Sequence, residues 1–287
     1  APRVGKGVSA VRFDWYQATI AAHPIEVVEG LLAGLGGDLE VKDVRAHNGY
    51  MQGFQIVGQT GEVARIDAGG SNGDPNAMAS GDHTDAFVRV VRESWPDGHR
   101  VTRCDPAQDF EGPGEFERLK SICIEHADAH AKPLKVEHAG DWHRAEDGRT
   151  LYLGSRKSPF RSRLYEKGIQ LQREFPHRSA EFSADLVRLE LQARPAGTLR
   201  HLAAVATPEQ IWGFSSWTQA LAEKAIGAGI TRTTVSTYRE ADHWRSYRWM
   251  VGQYGRALEK CVEDLGSWEA LALQIRDDFE RLKADSR

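Results

Sequence analysis

The sequence predicts an α+β protein: a mostly antiparallel β-sheet with helices packed on it, followed by an all-helical region. Three observations carry this. Upstream of Pro195, several short stretches alternate apolar and polar residues and are separated by Gly- and Pro-containing turns. Downstream of Pro195 the apolar residues recur at steps of three and four. At 287 residues, 40% apolar and 27% charged, the chain can bury a proper core. The change of period sets the expected boundary: a sheet-based core over 1–198 and a helical region over 199–287.

Taken in order, Ala10 to Ile20 alternates as a strand, with Val11, Phe13 and Trp15 on one face and Arg12, Asp14 and Tyr16 on the other. His23-Pro24 opens a helix that Gly36-Gly37 stops. Gln52 to Thr60 and Glu62 to Ala68 form a hairpin around Gly61, and Gly69 to Gly81 reads as loop. Thr84 to Glu93 is helical. Arg100 to Phe110 is a strand, although Pro106 argues against a central position. Glu115 to Ala131 is an amphipathic helix, and Leu134 to His138 a short strand. Thr150 to Gly154 and Ser162 to Lys167 form a second hairpin. Ala184 to Arg194 is the last strand. Thr207-Pro208-Glu209-Gln210 is a capping box for a helix running to about Ile226. Two further helices cover Ala241 to Leu265 and Ser267 to Ala284. No internal repeat is visible.

Composition excludes several classes. No run of about 18 apolar residues exists, so no membrane partner is expected. Three scattered cysteines, Cys104, Cys123 and Cys261, argue against a disulfide framework and for a reducing cytoplasm. The net charge of −4 gives no global nucleic-acid signature, so any such site is local.

One local site stands out. From Arg149 to Arg178 there are eight Lys/Arg against two acidic residues. Strand alternation places Tyr165 on one face between Arg163 and Lys167. Flanking cations would favour the phenolate and hold a phosphate, which suits a tyrosine attacking a phosphodiester. Asp105 and Asp109 share a face of their strand, and Glu190 projects from another. Carboxylates gathered on a sheet suit Mg²⁺ or Mn²⁺, which prefer oxygen ligands. Arg156, Lys157 and Arg161 make the hairpin turn basic, with Arg149 nearby. Arg245, Arg248 and Arg256 on the long late helix offer a second basic face. His126 and His130 are spaced like a metal pair but lack carboxylate company.

Three segments, 102–110, 150–168 and 184–194, resemble in order and spacing the rolling-circle replication initiators of the Rep_trans type, found in small plasmids and filamentous phages. The matching motifs are Arg103-Cys104-Asp105-Pro106-Ala107-Gln108-Asp109, Arg163-Leu164-Tyr165-Glu166-Lys167 and Arg188-Leu189-Glu190-Leu191. Arg65-Ile66-Asp67 spells the first motif too, but its distance to the tyrosine strand fits less well. The resemblance implies a nicking and joining core related to the HUH endonucleases, here without a His pair. Tyr165 would be the nucleophile, and Asp105 and Glu190, with Asp109, the Mg²⁺ or Mn²⁺ site. The implied partner is single-stranded or cruciform origin DNA, whose backbone Arg156, Lys157, Arg161 and Arg149 would track, with a host helicase and a second copy of the chain as further partners. Two rival readings use the same residues: a metal-dependent phosphodiesterase without a tyrosine adduct, and a non-catalytic DNA-binding regulator.

Overall fold

A computed structural model describes residues 10–71, 73–144, 147–227, 229–233 and 242–285. The chain divides into two compact units, Ala1–Val235 and Ser236–Arg287.

The first unit is built on one antiparallel ten-stranded sheet. Its strands are β1 (Arg12–Ile20), β2 (Glu40–Val44), β3 (Gln52–Gly58), β4 (Gly61–Ala68), β5 (Asn76–Ser80), β6 (His99–Glu111), β7 (Val136–Gly140), β8 (Arg149–Leu153), β9 (Phe160–Tyr165) and β10 (Leu186–Ala193). Their spatial order is β2-β3-β4-β5-β1-β6-β10-β9-β8-β7. Two of these strands were not anticipated. β5 runs through the stretch read as loop: its Ala77 and Ala79 are buried between β1 and β4, where small residues fill the space that larger apolar ones usually signal. β2 is exposed along most of its length and carries little apolar pattern.

The sheet is two copies of one topology. In each half a central strand leads to a helix, and four strands then return from the edge to the centre. The first half is β1, α1 (Pro24–Leu35), β2, β3, β4 and β5; the second is β6, α3 (Glu115–Ala129), β7, β8, β9 and β10. A further helix follows each half: α2 (Thr84–Ser94) and α5 (Leu199–Val205). The central strands β1 and β6 pair antiparallel, so a pseudo-two-fold axis passes between them. The sequence reading found no repeat, because the halves share backbone pattern rather than residue identity.

One face of the sheet is apolar and carries the helices. Cys104, Phe110, Leu151, Leu153, Leu164, Leu189 and Leu191 point there and are buried with Leu119 and Cys123 of α3. Burying such a side chain contributes about 1.5–3 kcal/mol. Pro106 does lie in a central strand. It pairs with Phe13 beside a register shift in β1, so an irregular ladder accommodates its missing N–H.

The helix expected from Thr207 to Ile226 is two, α6 (Pro208–Trp212) and α7 (Ser216–Ala225). At the break, a Cβ on Gly213 would meet the Thr231 carbonyl. The expected boundary at 198 falls inside the first unit, because α5 and α6 pack on β6. Strand β9 ends at Tyr165, two residues earlier than expected. Lys167 instead opens the short helix α4 (Lys167–Glu174). Gly168 lets α4 sit against the chain: a Cβ there would collide with the Ser183 carbonyl oxygen.

The second unit is a helical hairpin of α8 (Asp242–Leu265) and α9 (Trp268–Asp285), turned at Gly266 with φ +87°. The Arg245 and Arg248 side chains lie outside those described, and Arg256 is exposed. Among the described residues no helix is long and apolar enough to cross a membrane.

Candidate active site

The face opposite the helices is polar in the carboxyl half, and strand register aligns its side chains in rows. One row is Thr150, Tyr165, Arg188 and Asp109, across β8, β9, β10 and β6. The next is Glu137, Tyr152, Arg163, Glu190, Ala107 and Arg12, from β7 to β1. Residues as far apart in sequence as Asp109 and Arg188 thus become neighbours.

Tyr165 is 3% exposed. The Arg163 guanidinium lies 3.8 Å from its ring centroid and the Lys167 ammonium 5.8 Å. Lys167 reaches the ring from the first turn of α4, not from the strand. Burial raises the Tyr165 pKa, with Glu190 and Asp14 adding to the rise and Arg188 and Arg163 opposing it. The flanking Arg163 does favour the phenolate, as expected, but desolvation outweighs it. The hydroxyl is neutral at pH 7. Burial, with Arg188, lowers the Lys167 pKa.

Asp105 and Glu190 are 1% and 3% exposed. Arg103 forks onto Asp105, with Nε donating at 3.1 and 2.9 Å and Nη2 closing a third bond. Burial still lifts the Asp105 pKa to about 7 despite Arg103, and Glu190 adds to the rise. Burial also raises Glu190, followed by Asp14, against Arg163 and Arg103. Gln192 donates to Glu190 at 3.4 Å, and Arg163 lies 4.0 Å away. Two buried carboxylates that both resist ionisation suit a divalent cation, whose charge would reverse that resistance. Asp109 is engaged elsewhere: Arg188 donates to its two oxygens at 2.6 and 2.7 Å. Among the described residues no group of three His, Cys, Asp or Glu could hold a metal. Mg²⁺ is commonly held by one or two carboxylates plus phosphate oxygens and water, a donor set to which Asp105 and Glu190 correspond in kind, with both Asp105 oxygens here accepting from Arg103.

Of the four expected DNA-contacting cations, Arg156 and Lys157 are exposed at the β8–β9 turn. Arg161 is buried, stacked 3.7 Å over Tyr152 and bonded to Glu137 at 2.6 Å. Arg149 is clamped by Glu166 and Glu117, both at 2.7 Å, and stacks on Phe116. The last two thus brace the hairpin. His126 is buried in α3, away from the polar face, with its ring 6.4 Å from Trp217.

Two site residues escaped sequence reasoning as site residues. Arg188, 3% exposed, joins Asp109 to Asp14, donating to Asp14 at 2.6 Å. Asp14 lies beside the register shift in β1, on the face it shares with Arg12, and from there reaches Arg188. A signal existed: Arg12-Phe13-Asp14 repeats the spelling of Arg103-Cys104-Asp105. Beside Tyr165 opens a cavity of about 230 Å³, lined by Arg149, Arg163, Glu166, Gln170 and Arg173 among others.

The architecture defines a class. The chain is similar to a rolling circle replication initiator protein from Geobacillus stearothermophilus, with a TM-score of 0.52 and 19% identity, over 79% of this chain and all of that one. At that identity the likeness establishes the α+β fold. The sequence pattern of the replication initiation factor family matches residues 99–256, more than half of the chain. The chain belongs to that family and its function is replication initiation. A comparison with curated proteins found no match.

Proposed function

We propose that the protein nicks and rejoins one strand of origin DNA through a 5′-phosphotyrosine on Tyr165. The observation that carries this is the row geometry. It puts a buried tyrosine under Arg163, next to Arg188, on the face that also holds Asp105 and Glu190. The Tyr165 oxygen attacks the scissile phosphorus and forms an O–P bond. The bond to the 3′-oxygen breaks, Tyr165 gives its proton to solvent and the leaving oxygen takes one up, which leaves a free 3′-hydroxyl for a polymerase to extend. Attack by that or another 3′-hydroxyl reverses the step and rejoins the strand. Arg163, stacked on the ring, orients the phenol and offers positive charge to the phosphoryl oxygens in the transition state. Lys167 adds charge from the start of α4. Asp105 and Glu190 would hold Mg²⁺ or Mn²⁺. When bound, that ion polarises the phosphate and offsets its developing charge.

The Arg188–Asp109–Asp14 network positions Tyr165 by anchoring the row in which it lies. Arg156 and Lys157 would meet the backbone of single-stranded or extruded DNA. A host helicase and a second copy of the chain are the further partners of this reading. The test is a denaturing gel of protein mixed with a labelled single-stranded origin oligonucleotide and Mn²⁺. A covalent adduct that disappears in Tyr165→Phe supports the reading. Cleavage that persists in Tyr165→Phe overturns it in favour of a metal-dependent phosphodiesterase.

A further inference from the structure

The pseudo-two-fold axis gives each residue of the active-site rows a counterpart in the amino half. Lys42, Gln55, Arg65, Met78, Gln17 and Arg103 lie opposite one another across β2, β3, β4, β5, β1 and β6. This row repeats Glu137, Tyr152, Arg163, Glu190, Ala107 and Arg12, strand for strand. The adjacent row, Gly53, Asp67, Asn76 and Thr19, repeats Thr150, Tyr165, Arg188 and Asp109. Arg65-Ile66-Asp67 therefore occupies the place of Arg163-Leu164-Tyr165.

The amino copy has kept the arginine and lost the chemistry. Asp67 stands where the tyrosine would be, and Met78 where Glu190 would be. Asp14, the counterpart of Asp105, bonds Arg188 in the other half at 2.6 Å. Asp67 is consumed locally, accepting from Arg65 at 3.3 Å and from the His47 amide at 3.2 Å. What remains along the row is Lys42, Arg65 and Arg103 with Gln55 and Gln17. Arg65 is paired with Asp67 and Arg103 with Asp105, so Lys42, opposite Gln55, is the row's exposed cation. Its catalytic counterpart carries Glu137 in the place of Lys42. An exposed lysine suits a phosphate oxygen where a glutamate does not.

A DNA duplex has dyads of its own, relating its two strands, and paired protein halves dock by matching them. We propose that the amino half holds the deoxyribose-phosphate backbone of the uncut strand, in a duplex stem whose other strand lies over Tyr165. Strand choice then follows from the fold. Both strands meet the same backbone frame, and only one meets a nucleophile. This rests on the reading of Tyr165 given above, and its test is independent of cleavage.

The probe is a hairpin whose stem flanks the nick site, with its two strands differently labelled. The photo-crosslinker p-benzoylphenylalanine is placed at Gln55 and, separately, at its counterpart Tyr152. The expected result is labelling of the uncut strand from position 55 and of the cut strand from position 152. Labelling of the same strand from both positions, or none from 55 while 152 labels, overturns the proposal. Lys42→Glu, at an exposed position, provides the second reading. Stem binding is expected to weaken about tenfold and the salt slope to fall by about one. Adduct formation on a single-stranded oligonucleotide should stay within about twofold of wild type, which a loss of fold would not permit. Unchanged stem affinity in Lys42→Glu also counts against the proposal. Loss of adduct in Tyr165→Phe with strand labelling retained confirms both readings. Persistence of cleavage in Tyr165→Phe sinks the nucleophile and leaves the docking result to stand by itself.

Discussion

Arg188→Met asks whether the buried network beside Tyr165 holds the site together. The Arg188 side chain is 4% exposed, and its partners Asp14 and Asp109 are 19% and 18% exposed. Three short charge-assisted bonds, at 2.6, 2.6 and 2.7 Å, would be lost. Methionine fills much of the volume, so the cost comes chiefly from two carboxylates that lose their short bonds and keep Arg12 at 3.8 Å. Breaking a buried pair in this way costs about 3–5 kcal/mol. The partial exposure of both acids lets water recover some of it, so the lower end, about 3 kcal/mol, is expected. For a unit of this size that corresponds to a fall in Tm of about 6–12 °C. The assay is denaturant unfolding followed by tryptophan fluorescence, as a double-mutant cycle with Asp109→Asn. The double variant should lose less than the sum of the singles, by about 1–3 kcal/mol. A loss below about 1 kcal/mol, or strict additivity, would refute the network as an anchor.

Other outcomes follow from the same geometry. Asp105 has a folded pKa of about 7, above its unfolded value. The folded state therefore keeps a proton that the unfolded state has lost, and this contribution to stability fades as pH rises from about 4 through 7. Without divalent metal, melting temperature should fall across that window more steeply in wild type than in Asp105→Asn, and Mn²⁺ should flatten the wild-type curve. Parallel curves would show that Asp105 does not titrate there. Gly168→Ala should shift α4 off Ser183 and cut adduct formation at least tenfold, since Lys167 starts that helix; unchanged activity would mean that Lys167 is dispensable. Arg156→Glu with Lys157→Glu should lower the salt slope of DNA binding by about two, measured by titration between low and moderate salt. Arg161→Gln, by contrast, should act on stability, because its charge is spent on Glu137 and Tyr152.

Much of the carboxyl half was legible because its motifs sit on strands with ordinary alternation. Leu164 and Leu189 point to the core, and Tyr165 and Glu190 therefore to the opposite face. The amino half hid its strands. β5 is made of Asn76, alanines, Met78 and Ser80, and its identity comes from pairing between β4 and β1 rather than from its own pattern. That missing strand also concealed the internal symmetry, because the two halves match only once all five strands of each are in place. Asp14 was missed for another reason: alternation puts it on the face of Arg12, but nothing in the sequence pairs it with Arg188, 174 residues away. The raised pKa of Tyr165 could not be read from its cationic neighbours, since burial enters only with the third dimension.

The central claim is that the covalent DNA link forms on Tyr165. Tyr152 lies on the same face and is stacked under Arg161, so it is the natural competitor. The direct measurement is mass spectrometry of the digested adduct after nuclease trimming. The account predicts a nucleotide remnant on the peptide containing Tyr165. A remnant on Tyr152, or on any residue other than Tyr165, would contradict it.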